Sequence, residues 1–380
     1  MTAPDRDDPE YRSRWTDCRR ENINVTPIEK LGFDQKTRTA LAPGDFDSFD
    51  LARVMAVHKE SYIISNGEVE AQAELMGKMM FAAASPVDYP TVGDWVRVSF
   101  YDNHSFAVIQ EILARTSLLK RKTPGKKVDF QLIAANIDTA LIVQSLNENF
   151  NLRRLERYLV MVHESRIAPV VLLSKSDLLD ASEIEKRTRQ IKTIMPDLEI
   201  IAFSNETPSG PERIKKILAP GQTYCLIGSS GVGKTTLLNH LIGKAIYRTR
   251  TVGRSASKGR HATTSRQLIL LDSGAIIIDT PGMRELGHFF VDNGIDETFS
   301  DIIALSEKCR FRDCSHGAEK GCAVLDAVKN GTLSFERFEN FMKMTRESAF
   351  NAMSYVEKRQ KDKAFSKMCK TVMKQKKNRC

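Results

Sequence analysis

The sequence predicts a multidomain fold, with a small β-barrel first, an α/β domain built on a parallel sheet second, and a helical domain last. Three patterns predict it: short β-rich runs in residues 50–114, buried strands that alternate with amphipathic helices after residue 130, and helical stretches around a cysteine cluster after residue 290. We expect five segments. They are a flexible leader (1–45), the barrel (46–114), the α/β domain (115–292), the helical domain (293–345) and a basic tail (346–380).

The composition is that of a globular protein. The chain has 380 residues, of which 41% are hydrophobic and 28% charged, and this excludes a collagen or a disordered chain. No apolar run approaches the roughly 18 residues that a membrane span needs. The start, MTAPDRDDPEYRSRW, is charged where a secretory signal would be apolar. We therefore expect a cytoplasmic protein with no membrane partner.

The net charge of +9 is concentrated at the C-terminal end. Residues 341–380 contain twelve Lys or Arg against three Asp or Glu, so this segment alone accounts for the excess. Lys and Arg displace counterions from phosphate backbones, and a basic arm on a neutral body therefore favours a polyanionic partner. The alternative is a solvated tail without a partner.

The barrel is predicted by five runs, LARVMAV, SYIIS, VEAQAEL, WVRVSF and FAVIQEIL, separated by turn residues. Five short strands in about 65 residues are typical of a small closed barrel such as the OB-fold. A basic loop without an acid follows, and at a barrel rim it would form a second phosphate-contacting surface. It contains Arg115, Lys120, Arg121, Lys122, Lys126 and Lys127.

A phosphate-binding loop is predicted where the strand TYCLIG runs into the helix LLNHLIG. The residues between them match the pattern G-x-x-x-x-G-K-T, whose glycines let backbone N–H groups close around phosphates at a helix N-terminus. Lys234 would reach the β and γ phosphates, and the Thr235 hydroxyl would bind Mg²⁺. The predicted nucleotide-binding residues of this loop are Gly228, Ser229, Ser230, Gly231, Val232, Gly233, Lys234, Thr235 and Thr236.

A second phosphate-side element is the run AIIID followed by Thr280, Pro281 and Gly282. Asp279, at the end of an apolar strand, can hold the Mg²⁺ shell, and the Gly282 N–H can reach the γ phosphate. Alone this pattern also describes a common turn, but together with the phosphate loop it predicts a switch that senses the nucleotide.

The residues that would select the base lie upstream of the phosphate loop. Ser174, Lys175, Ser176 and Asp177 end the strand APVVLL and resemble the Asn-Lys-x-Asp pattern of guanine-binding proteins, with Ser174 in place of Asn. An Asp carboxylate accepts hydrogen bonds from guanine N1–H and the exocyclic amine, which adenine cannot offer. Ser204 and Asn205, after LEIIAF, would form the loop over guanine O6. The alternative is an ordinary polar loop.

A metal site is predicted by three cysteines and one histidine within fourteen residues: Cys309, Cys314, His316 and Cys322. Such a set fills a tetrahedral zinc site with no open position, so we expect one structural Zn²⁺. The alternative is three reduced cysteines near a histidine. Arg310, Phe311 and Arg312, between the ligands, would face outward and could contact RNA or protein.

The reversed order of base and phosphate elements indicates a circular permutation. With it, the chain resembles the ribosome-small-subunit-dependent GTPase family (RsgA, YjeQ-like), which combines an OB-fold, a circularly permuted GTPase domain and a zinc-binding domain. The resemblance covers about residues 50–340. It rests on PTVGDWVRV, AANIDTALIV, GSSGVGKTTLLN, GRHATT, DTPGMRE and CRFRDCSHGAEKGC.

The resemblance implies further site residues. Residues 253–264 would be the first switch, with Thr263 or Thr264 as the second Mg²⁺ ligand. Many GTPases place a Gln after the glycine of the second switch to orient water, but here Met283 stands there. His261 is the family's candidate for that role, and the alternative is a surface histidine in a loop.

The resemblance implies GTP hydrolysis stimulated by the small (30S) ribosomal subunit, in late subunit maturation, with 16S rRNA as a further partner and GTP gating binding and release. We expect a monomer that binds GTP with Mg²⁺, and GDP after hydrolysis. Because the second switch leads almost directly into the cysteine cluster, movement could pass along the chain to that domain. Two alternatives are an ATP-using P-loop enzyme and an RNA-binding assembly scaffold with a structural nucleotide.

Overall fold

The structure is a computed structural model. It describes residues 26–34, 37–38, 50–58, 61–122, 130–243, 266–279 and 293–352. Thirteen β-strands and nine α-helices lie in these ranges. None of the helices in the described ranges has the length and apolarity of a membrane-spanning segment.

The N-terminal barrel has the five strands that the alternating runs predict. They are β1 (Asp50–Val57), β2 (Tyr62–Ser65), β3 (Glu70–Leu75), β4 (Trp95–Tyr101) and β5 (Phe106–Ile112), with a short helix α1 (Gly77–Ala82) between β3 and β4. β1 pairs with β2 and with β4, and β5 pairs with β3 and β4, which closes the barrel. Val54, Ile64, Val98 and Ile109 fill its interior. The predicted closed barrel is confirmed.

A two-stranded hairpin follows the barrel, formed by β6 (Leu118–Lys122) and β7 (Phe130–Ala135). Leu119 and Ile133 belong to the core of the α/β domain, and the hairpin also contacts the barrel region, where the Ala135 N–H donates to the Val92 carbonyl. The position of the basic loop at the barrel rim stays a prediction. Arg115 was wrongly grouped with that loop. Its guanidinium instead donates to both carboxylate oxygens of buried Asp94, each at 2.7 Å. Residues 123–129 lie outside the described ranges.

The α/β domain contains six strands in one sheet. They are β8 (Thr139–Ser145), β9 (Ala168–Ser174), β10 (Glu199–Ala202), β11 (Thr223–Ile227), β12 (Gln267–Leu270) and β13 (Ile276–Asp279), in the spatial order β10-β9-β8-β11-β13-β12. All neighbours are parallel except β12 and β13. The strand β11, which leads into the predicted phosphate loop, therefore lies beside β8. The three strands β8, β9 and β10, which carry the predicted base loops, precede it in the chain. This is the arrangement that a circular permutation predicts.

Helices cover both faces of this sheet because their apolar residues recur at helical spacing. α2 (Leu152–Glu164) and α3 (Ala181–Ile194) pack on one face, with Leu155, Leu159 and Ile191 in the core. α4 (Ser209–Lys215) and α5 (Lys234–Ile242) pack on the other. Asn151 and Asp180 cap α2 and α3 by accepting a backbone N–H three residues ahead, which fixes where each helix begins.

The barrel and the α/β domain share one continuous sheet. β1 pairs with β12 through Ala56 and Gln267. A second link is Arg53 of β1, only 1% exposed, whose guanidinium donates to the carbonyls of Leu31, Gly93 and Asn136 and to the Thr223 hydroxyl. One buried cation thus connects the N-terminal segment, the barrel and the α/β domain.

The C-terminal part is helical, as predicted. It comprises α6 (Asn293–Thr298), α7 (Ser300–Ser306), α8 (Ala323–Lys329) and α9 (Phe335–Ala352). Their core contains Phe299, Ile302, Val324 and Phe341, and it includes Val160 of α2, so this part packs directly on the α/β domain. The five domain boundaries predicted from the sequence stay predictions.

Candidate nucleotide-binding site and metal centre

The predicted phosphate loop connects β11 to α5 at the carboxyl edge of the sheet. Gly228, Gly231 and Gly233 all have positive φ angles, of 151°, 79° and 92°, which glycine adopts at low cost. A Cβ on Gly228 would lie 2.3 Å from the Val143 carbonyl oxygen, and one on Gly233 would lie 2.6 Å from the Asn205 amide nitrogen. The loop's curvature thus depends on glycine at both ends.

The Lys234 side chain turns back over this loop. Its Nζ donates to the carbonyl oxygens of Gly228 at 2.6 Å and Ser229 at 2.7 Å, which keeps the ammonium inside the curve of the loop. Thr235 and Thr236 follow in the first turn of α5, and Ser230 and Val232 lie in the loop itself. A cation at a helix N-terminus lined with backbone N–H groups is an arrangement that binds phosphate.

Ser174 links the predicted base loop to the predicted phosphate loop. Its hydroxyl is fully buried and donates to the Val232 carbonyl at 2.7 Å, across 58 residues of sequence. The residue that replaces the usual Asn therefore has a hydrogen bond to the phosphate loop. Lys175, the next residue, has a left-handed backbone with a φ of 61°, which turns the chain sharply at the end of β9.

The second predicted base loop joins the same cluster. The Ser204 hydroxyl donates to the Asp177 carboxylate and accepts from the Glu206 N–H at 3.0 Å. The Asn205 amide donates to the Gly233 carbonyl at 3.1 Å, while its Oδ1 is buried and has no hydrogen-bond partner. The structure thus brings 174–177, 204–205 and 228–236 into one network.

Asp279 ends β13, the strand next to β11, so its carboxylate lies at the same edge of the sheet as the phosphate loop. It pairs with Gln267 of β12, and Gln267 pairs in turn with Ala56 of the barrel. The predicted Mg²⁺ residue is therefore two strand pairings from the barrel. Gly282, His261, Thr263 and Thr264 lie outside the described residues.

The four predicted metal ligands meet between α7 and α8. One ligand atom from each of Cys309, Cys314, His316 and Cys322 lies within 4.8 Å of all the others. His316 has a φ of 56°, and its Nδ1 is 3.3 Å from the Cys322 Sγ. Burial lowers the pKa of His316, which favours the neutral imidazole that binds metals. Neither these three cysteines nor Cys225 forms a disulfide, and the cluster can hold a metal ion.

A buried ionic cluster at the base of the C-terminal domain was not anticipated. The Arg337 guanidinium donates to both Asp301 oxygens, at 2.6 and 2.9 Å, and to Glu156 Oε1 at 2.6 Å, and Asn340 donates to the other Glu156 oxygen. The sequence feature that could have indicated it is Glu156, which lies on the same face of α2 as Val160 and His163. That spacing marks a second face of α2, and the C-terminal domain covers it.

Comparison with known proteins agrees with this architecture. The family model described as "RsgA GTPase" matches residues 112–289. A Vibrio parahaemolyticus protein named "Small ribosomal subunit biogenesis GTPase RsgA 2" is 40% identical over 93% of this chain and 94% of its own length. A Bacteroides thetaiotaomicron protein named "Small ribosomal subunit biogenesis GTPase RsgA 1" is 40% identical over 86% of this chain and 91% of its own.

Two solved structures are similar. The crystal structure of YjeQ from Thermotoga maritima has a TM-score of 0.57 and 27% identity, covering 79% of this chain and 98% of that one. YloQ, titled a circularly permuted GTPase, has a TM-score of 0.58 at 23% identity, which shows the shared fold. With the sheet order and relatives of 40% identity over nearly the whole length, these matches show that this chain belongs to the RsgA GTPase family.

Proposed function

We propose that this protein is a GTP hydrolase stimulated by the small (30S) ribosomal subunit, acting in late subunit maturation. The observation that carries the proposal is the Ser174 hydrogen bond to Val232, which ties a base loop to a phosphate loop that follows it in the chain. A nucleotide site needs both loops at a fixed separation. The names of the relatives supply the ribosomal context.

The base loops favour guanine. Asp177 would accept hydrogen bonds from guanine N1–H and the 2-amino group, with the Ser204 hydroxyl holding the carboxylate in place. The Lys175 stem would pack on the base, and the loop of Ser204 and Asn205 would lie over guanine O6. Because adenine offers no matching donors to Asp177, this arrangement supports GTP over ATP.

The phosphate side would bind the triphosphate and its magnesium ion. Backbone N–H groups of 228–236 would surround the phosphates, and Lys234 would leave the Gly228 and Ser229 carbonyls for phosphate oxygens. Thr235, Asp279 and either Thr263 or Thr264 would hold Mg²⁺, with the Gly282 N–H at the γ phosphate. Magnesium neutralises the charge that develops on the transferred phosphoryl group.

Water would be positioned by a residue outside the second switch, because Met283 offers no hydrogen-bonding group there. We assign this role to His261. His261→Ala should lower 30S-stimulated turnover and leave GTP affinity nearly unchanged. Unchanged stimulated turnover in this variant removes His261 from the mechanism.

The cysteine cluster fits one structural zinc ion. Zinc–sulfur bonds of about 2.3 Å put two thiolates of a tetrahedral site about 3.8 Å apart. The Sγ atoms of Cys309 and Cys322 are 3.8 Å apart. Three thiolates and one imidazole leave no open position, so the ion would hold the segment around Arg310, Phe311 and Arg312 and would not take part in hydrolysis.

Binding to the subunit would use 16S rRNA contacts on the barrel side and on the C-terminal domain, by a monomer. The pairing of Ala56, Gln267 and Asp279 supports gating by GTP, since movement of β12 with the nucleotide would reach the barrel directly. GTP would hold the contact surfaces in the bound arrangement, and hydrolysis to GDP would release the protein.

The test is phosphate release from GTP and from ATP, with and without purified 30S subunits, at two salt concentrations. We expect strong stimulation that is specific to GTP and weaker at high salt. Equal turnover of both nucleotides would favour an ATP-using enzyme. Absence of stimulated turnover, with RNA affinity indifferent to GDP or GTP, would favour an assembly scaffold.

A further inference from the structure

A groove of about 850 Å³ separates the start of α2 from α9. One wall is formed by the first two turns of α2 and the other by one face of α9, and His316 and Gly317 of the metal centre also line the groove. None of the predicted nucleotide-binding residues that the structure describes lines this groove. Its volume is in the range of ligand clefts, roughly 300–1,000 Å³.

The α2 wall carries an unusual concentration of positive charge. Arg153, Arg154 and Arg157 occupy the first two turns of α2, and no acid lies in the first turn. A helix N-terminus already has a partial positive charge, so cations are disfavoured there and acids are the usual choice. Local rules are typically broken where function requires it. This wall is therefore suited to an anion.

The facing wall adds Lys343 and Arg346, both exposed and without an ion-pair partner among the described residues. Two carboxylates neutralise part of the positive charge of the groove, because Glu339 pairs with Arg153 at 3.0 Å and Glu347 pairs with Arg157 at 2.6 Å. Arg154, whose guanidinium donates to the Asn149 carbonyl, remains as a third uncompensated charge. Three cations in excess therefore line the groove.

Aromatic side chains lie between these charges. Phe335 is 58% exposed, and Phe338 follows one turn later on α9, so both rings line the same groove. A large apolar ring exposed beside cations is the composition of grooves that bind single-stranded nucleic acids, where bases stack on the rings and the backbone follows the charges.

We propose that this groove binds a single-stranded RNA segment, with a base stacked on Phe335 and Phe338 and phosphates on Arg154, Lys343 and Arg346. The identity of that RNA as ribosomal rests on the proposed function. A duplex does not suit the groove, because its bases are stacked and unavailable to the rings. The chain's own tail does not suit it either, since residues 353–380 carry ten Lys or Arg against two acids.

The test measures binding of a fluorescent single-stranded RNA of about 12 nucleotides to the full chain over a range of salt concentrations. Lys343→Gln with Arg346→Gln should weaken binding and lower the slope of log affinity against log salt by about 1.4, because each lost single-strand phosphate contact removes about 0.7. Phe335→Ala should weaken binding about ten-fold at unchanged slope, because it removes stacking without removing charge.

The matched control is Lys186→Gln with Arg189→Gln. This pair has the same spacing and charge change on exposed positions of α3, away from the groove, and it should leave affinity and slope unchanged. Zinc content and urea midpoints establish that each variant is folded. If the double variant on α9 is unstable, Phe335→Ala alone decides the question.

Three results would overturn the proposal. In the first, the double variant on α9 and Phe335→Ala both bind RNA as the control does. In the second, the duplex form of the same RNA competes equally well. In the third, a poly-glutamate peptide competes as well as RNA, which would assign the groove to an acidic protein. Stimulated GTP hydrolysis is measured separately on the same preparations. Its failure in the wild type would refute the proposed function while the RNA titration still tested the groove.

Discussion

The barrel and the C-terminal domain are attached to the α/β domain by different interactions. The barrel is joined through main-chain pairing of β1 with β12, where Gln267 pairs with both Ala56 and Asp279, and through Arg53, which bonds Thr223 at the start of β11. The C-terminal domain is joined through side-chain contacts on α2, which are apolar packing on Val160 and the ion pairs Arg337–Glu156 and Arg157–Glu347. Among the described residues, only the first attachment lies on a strand next to the predicted switches. The barrel should therefore respond to the nucleotide, and the C-terminal domain should move as one body with α2.

The largest expected effect is that of metal removal, which should unfold part of the C-terminal domain and leave the barrel folded. Chelation should unfold the region around Cys309 and Cys322, because structural zinc supplies much of the folding free energy of a small metal site, about 10–16 kcal/mol in isolated peptides at pH 7. Hydrogen exchange should report fast exchange in α8 and unchanged protection in β1–β5. One zinc per chain is expected before chelation, and protection lost equally in the barrel would contradict separate attachments.

Breaking the barrel attachment should have the next largest effect. Arg53→Met leaves three carbonyls and one hydroxyl without a donor at a fully buried position, and we expect a loss of about 3–5 kcal/mol in the free energy of unfolding. Burial lowers the pKa of Arg53 to about 10, so the guanidinium is charged at neutral pH. Urea unfolding measures the loss. Arg189→Met, at an exposed position, is the control and should change stability by less than about 0.5 kcal/mol.

The C-terminal attachment should be distinguished by its pH dependence. Arg337→Met leaves Glu156, 2% exposed, without its cation, at a cost of about 3 kcal/mol. Burial raises the pKa of Glu156 above the ordinary value of a glutamate, so the folded state binds the proton more tightly than the unfolded state. The variant should therefore recover stability as the pH falls from 7 towards 5. Adding Glu156→Gln should restore part of the loss at pH 7, and a pH-independent defect would exclude the charge as the cause.

The smallest expected effect concerns the link between the two nucleotide loops. Ser174→Ala removes the donor to the Val232 carbonyl and should weaken GDP affinity by about five- to tenfold, the equivalent of about 1 kcal/mol. Ser182→Ala removes an exposed hydroxyl from the start of α3 and serves as the control. Titration with a fluorescent GDP measures both. Equal affinities would mean that the loops keep their separation without Ser174.

Elements with a local pattern could be predicted from the sequence. Alternating residues predict the barrel strands, and glycine spacing between a strand and a helix predicts the loop at 228–236. Interactions between distant segments could not be predicted. Alternation in β1 predicts that Arg53 faces away from the barrel interior, towards solvent. In the structure the α/β domain buries it, and the pattern of one strand carries no information about that contact. The sequence likewise predicts a surface cation at Arg115, whereas in the structure it forms an ion pair with Asp94.

The candidate site divides in the same way. The motifs predict which residues take part, but the hydrogen bonds that connect Ser174 to Val232 and Asn205 to Gly233 depend on how strands from opposite ends of the domain lie side by side. No rule of spacing indicates that a shorter hydroxyl can make the contact expected of an asparagine. His261, Thr263, Thr264 and Gly282 stay predictions.

The central claim is that two halves in reversed chain order form one guanine-nucleotide site. The most direct measurement is 30S-stimulated phosphate release from GTP and from xanthosine triphosphate by the wild type and by Asp177→Asn. A carboxylate accepts from guanine N1–H and its amine, whereas an amide can donate to the xanthine 2-oxygen. We predict GTP preference in the wild type and xanthosine triphosphate preference in the variant. Unchanged GTP preference in Asp177→Asn would contradict it.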